Sequence, residues 1–66
     1  MEETEYLEKK LSDLKNWHRD LDAVIDHMRR DPYADQLLVQ RLKKRKLTLK
    51  DEILSLEEQI YPDIIA

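Results

Sequence analysis

Two apolar series on the same rhythm, separated by one proline turn, restrict what this chain can fold into more than any other feature. Leu7, Leu11, Leu14, His18, Leu21, Ile25 and Met28 form the first, and Val39, Leu42, Lys46, Leu49, Ile53, Leu56 and Ile60 the second. Each alternates steps of three and four residues, the 3.5-residue period of a coiled-coil seam. Folded back antiparallel, Met28 meets Val39, Ile25 meets Leu42, Leu21 meets Lys46, His18 meets Leu49, Leu14 meets Ile53, Leu11 meets Leu56 and Leu7 meets Ile60. The residue numbers of every such pair add to 67. One register therefore uses both complete seams and has its midpoint beside the turn, which predicts an α-helical hairpin.

The punctuation agrees. Proline disfavours helical dihedrals in the residue before it and has no N–H to donate, so Asp31-Pro32 stops the first helix. DPYAD then serves as turn and amino-terminal cap, with Asp31 or Asp35 accepting from the free amides of the next helix. The expected layout is one helical-hairpin domain over residues 1–66: a helix over about 3–30, a turn at 31–35, a helix over about 35–61 and a short tail at 62–66. Pro62 ends the second helix and leaves Asp63, Ile64, Ile65 and Ala66 as an apolar tail, expected to pack on the open end, to fray, or to act as a recognition or degradation signal. Glu2, Glu3 and Glu5 at the start of the first helix, and Arg29 and Arg30 at its end, match the helix dipole. Glu5 with Lys9 and Asp26 with Arg30 are i,i+4 pairs.

Composition closes off other classes. The chain has no glycine, and 41% of its residues are charged, which suits long helices and leaves no material for tight β-turns or a phosphate-cradling loop. The fold class is all-α. With no cysteine, neither a disulfide nor a thiolate-bound metal stabilises it, and at 66 residues a single core is near the lower limit of sufficiency. A homodimer in which two hairpins pair into a four-helix bundle would supply the missing core. The start, MEETEYLEKK, lacks the basic and apolar segments of a secretory signal, and no apolar run is long enough to span a bilayer. A soluble, cytoplasmic protein with no membrane association is expected.

Six basic side chains fall between Arg41 and Lys50, in RLKKRKLTLK. Arg41 with Arg45 and Lys46 with Lys50 are like-charged i,i+4 pairs, mildly destabilising unless answered. The hairpin register brings Asp20, Asp22 and Asp26 to their level, so the run is first read as half of an internal charge network. The competing reading is an anionic partner, a nucleic acid above all, held by Arg41, Lys43, Lys44, Arg45 and Lys50. Against it stand a net charge of −3 and the lack of aromatics interleaved with the run for base stacking.

Arg41 to Ile53, RLKKRKLTLKDEI, together with Asp31-Pro32 and the leucine-spaced helix before it, resembles the YdcH-like family of small, uncharacterised bacterial proteins. The resemblance covers roughly Leu7 to Leu56. It implies a helical hairpin or coiled coil, and it brings no agreed activity, cofactor or catalytic residue. Tyr33-Ala34-Asp35 departs from the more proline- and aspartate-rich turn expected there.

Polar residues interrupt each seam once, His18 and Lys46. Such positions fix register and oligomeric state at some expense of stability, and His18 could alternatively be a pH-sensitive contact. His18 and His27 are nine residues apart, on different faces of a helix, so no metal site is expected. Ser12 and Ser55 have no partnering base, and neither an enzyme nor a cofactor is expected. Apolar residues outside the seams are more suggestive. Leu47, Leu54 and Tyr61 recur every seven residues on one flank of the second helix, while Trp17, Val24 and Leu38 gather near the turn on the other. These six are the candidate interface, either with a second copy or with an amphipathic helix of another protein. The expected function is a non-enzymatic interaction or assembly module, with accessory nucleic-acid binding as the alternative.

Overall fold

The computed structural model describes residues 2–62. Over that span it contains two α-helices, α1 (Glu2–Arg29) and α2 (Gln36–Ile60), packed against each other with no strand. At a rise of about 1.5 Å per residue each helix extends roughly 40 Å, and the molecule is accordingly a rod of 48 × 22 × 15 Å.

Without glycine, the chain reverses direction using right-handed dihedrals alone, and no described residue has positive φ. α1 finishes by tightening: Arg30 N donates to His27 O (3.2 Å) and Asp31 N to Met28 O (3.1 Å). A β-turn follows, closed by Ala34 N to Asp31 O at 3.2 Å, with Pro32 at the position that suits its fixed φ. The two turn aspartates divide the work between them. Asp31 Oδ1 accepts from Tyr33 N at 2.9 Å and holds the turn. Asp35, extended at φ −69° and ψ 108°, caps α2 by accepting from Leu37 N (2.9 Å) and Leu38 N (3.3 Å). At the far end Tyr61 N donates to Glu57 O (2.7 Å), Tyr61 leaves helical dihedrals at φ −128° and ψ 62°, and Pro62 follows. The apolar tail Asp63-Ile64-Ile65-Ala66 lies outside the described residues.

The core is the pair of seams. All fourteen seam residues are buried or half-buried, and elsewhere among the described residues only Ala34 and Glu57 are not fully exposed. Leu11, Leu14, Leu21, Ile25, Leu49, Ile53 and Leu56 form one buried cluster, with Leu7, Leu42 and Ile60 packed against its margins. Ile25 and Leu49 are the deepest, at 1% and 2% exposure. Every buried side chain in this core is apolar.

The two seam polar residues behave differently. Lys46 is half-buried, and its Nζ reaches out to Asp22 Oδ1 at 2.7 Å, so its stem packs while its charge stays paired near water. His18 is half-buried too, but its Nε2 is buried with no hydrogen-bond partner.

Candidate interaction surfaces

A two-helix rod has two long edges where the helices meet, and here they differ in chemistry. One edge is closed by ion pairs across the helices: Lys15 Nζ to Glu57 Oε2 at 3.4 Å and Lys46 Nζ to Asp22 Oδ1 at 2.7 Å. The bond from Lys46, and then its charge, holds the Asp22 carboxyl below its ordinary value of 3.8. Leu47, Leu54 and Tyr61 lie on the outer flank of α2 beside this edge, at 63%, 49% and 40% exposure.

The other edge carries Val24 and Leu38 near the turn and Trp17 close to the middle of the rod, all exposed. No ion pair crosses it among the described residues. The guanidinium of Arg45 instead stands 5.1 Å from the centroid of the Trp17 ring, a cation–π contact between the helices. Towards the open end the same edge becomes a shallow groove lined by Lys10, Glu52, Ser55 and Gln59, with the core residues Leu14 and Leu56 reaching its floor.

The basic run is answered less than the register suggests. Of Asp20, Asp22 and Asp26, only Asp22 pairs with it, through Lys46; Asp26 accepts from Arg30, the residue just after α1, at 2.8 Å, as its i,i+4 spacing predicts. Asp20 makes no ion pair among the described residues. Arg41, Lys43, Lys44 and Lys50 are exposed and likewise without ion pairs there. The expected internal network is thus a single bridge. The reason is angular: of the run only Lys46 sits on the seam itself, and Arg45, which also reaches α1, meets the Trp17 ring there rather than a carboxylate. A second correction concerns aromatics. The run has none interleaved in sequence, but the fold brings Trp17 to Arg45 from the opposite helix. The register sets Arg45 level with Asp22, five residues from Trp17, a gap that the two long side chains span.

No cluster of three or more metal-ligating side chains occurs among the described residues, and none of their helices is long and apolar enough to cross a membrane. Glu5 and Lys9 do not pair.

A family model described as a protein of unknown function, DUF465, matches residues 11–57, and the resemblance to the YdcH-like family is consistent with it. No curated protein and no solved structure matches the chain.

Proposed function

Because the chain belongs to the DUF465 family, for which no function is established, its role must be read from its own surface, and we propose that it is a non-enzymatic interaction module of the cytoplasm that pairs with itself into a four-helix bundle. The observation that carries this reading is the mismatch, among the described residues, between a core of eight buried hydrophobic residues and nine large hydrophobic residues left exposed, Trp17, Val24, Leu38, Leu47, Leu54 and Tyr61 among them. Single exposed hydrophobics are ordinary, but these six form two stripes, and burying a stripe would enlarge a core too small for a chain of this length. The paired bundle then offers its remaining stripe to an amphipathic helix of a partner protein.

Sedimentation equilibrium over a wide concentration range tests the proposal. Twice the monomer mass of 8.0 kDa supports it; the monomer mass throughout rejects it.

A second reading is favoured by the unanswered charges of Arg41, Lys43, Lys44 and Lys50 and by the Trp17–Arg45 contact, which together supply cations and an aromatic face for a nucleic acid. Its signature is salt dependence. Counterion release makes such binding to a labelled single-stranded oligonucleotide fall steeply between low and moderate salt, whereas a hydrophobic helix contact barely responds.

A further inference from the structure

We propose that the second copy docks antiparallel on the edge bearing Trp17, Val24 and Leu38, so that the basic turn half of each hairpin lies against the acidic open half of the other, with Arg45 of each copy facing Glu52 of its partner. This rests on the self-pairing proposed above and assigns its face and its direction.

Charge sets the direction. Residues 19–48, the turn half, carry eight Lys and Arg against five Asp and Glu, a balance of +3. The described residues of the open half, 2–18 and 49–62, carry four against nine, a balance of −5. Parallel packing would set like halves side by side along the whole rod. A two-fold axis across the rod's middle sets each half against its opposite, and such an interface closes on itself.

Desolvation sets the face. Burying the edge with Lys15–Glu57 and Lys46–Asp22 would strip water from two ion pairs that are now solvated. The other edge has no such pairs among the described residues, and its two halves differ in shape. Val24 and Leu38 stand proud near the turn, while the open half holds the groove of Ser55, Gln59, Leu14 and Leu56. The antiparallel rotation drops the projections of one copy into the groove of the other. Arg45 and Glu52 lie two turns apart on this edge, nearly equidistant from the centre of Gln36–Ile60, so full overlap brings them to one level. Trp17 then lies beside the axis.

The test is association of charge variants by sedimentation equilibrium at low salt, with folding checked by circular dichroism. Arg45→Glu alone and Glu52→Arg alone each place two like-charged contacts in the dimer and weaken it roughly tenfold or more. Mixing the two variants in equal amounts restores the dimer, because both contacts of the mixed pair are then complementary, and the double variant Arg45→Glu/Glu52→Arg restores it as well. Leu54→Glu, on the other flank, leaves the association unchanged. If wild type dimerises but the mixture stays monomeric, or if Leu54→Glu abolishes pairing, this face and direction are wrong while self-pairing stands. A monomeric wild type overturns both.

Discussion

Replacing His18 by leucine should stabilise the hairpin by about 1–2 kcal/mol. Two terms of the same sign contribute. His18 Nε2 is buried without a partner, and a buried unsatisfied donor or acceptor of this kind costs about 1–3 kcal/mol. Leucine also replaces polar with apolar surface next to Leu14, Leu21 and Leu49, all in the buried cluster, at roughly 0.8 kcal/mol per methylene removed from water. Because the site is half-buried rather than fully enclosed, neither term is realised in full, and the side chains are close enough in volume that overpacking is minor. In a domain of this size the gain corresponds to a rise in Tm of about 5–15 °C. Urea unfolding of both proteins by far-UV circular dichroism, at matched concentrations where sedimentation gives the same oligomeric state, measures it. A lower or unchanged unfolding midpoint would refute the reasoning, because it would mean that Nε2 has a partner which the isolated hairpin does not supply. A mixture of oligomers in the variant would instead make His18 a determinant of register, the use best attested for polar seam residues.

Two further outcomes follow from the turn and the cross-helix bridge. Asp35→Ala removes the acceptor for Leu37 N and Leu38 N and should lower the unfolding free energy by about 1 kcal/mol in the same urea experiment; an unchanged midpoint would show that water replaces the cap without loss. Asp22→Asn should be less stable than wild type at neutral pH, and the difference should close on acidification. The folded carboxyl titrates below 3.8, so its contribution is present above that value and is lost as pH falls through the lower folded value. A deficit that persists in acid would assign the effect to something other than the Lys46 bridge.

The hairpin was legible because helix periodicity and turn chemistry are local signals that happened to agree. Leu7 to Met28 and Val39 to Ile60 announce their faces by spacing alone, and the buried and half-buried residues of the structure fall on those positions. Asp31 and Asp35 were both visible as turn residues, but which one caps α2 depends on backbone dihedrals that composition does not encode. The charge network is less legible for a related reason. A register gives the height of Asp20, Asp22 and Asp26 along the rod, but ion pairs also need the right angle, and the heptad spacing sets Asp20, Asp26, Arg41 and Lys44 off the edges where the helices meet. By sequence Trp17 is one of six exposed apolar residues, whereas in the fold its contact with Arg45 joins the apolar and basic surfaces at one point.

The mirror symmetry of the seams about Asp31–Asp35 also bears on how the chain reaches this structure. Each cross-helix pair is separated in sequence by the turn plus equal lengths of both helices, so once Met28 has met Val39, every later pair closes only a few more residues of free chain. The entropic toll of bringing distant segments together is therefore concentrated at the turn and rises slowly beyond it. The hairpin can zip outward from its turn, with Ile25 and Leu42 joining before Leu7 and Ile60, and the ends that close last are the ones whose opening exposes least core.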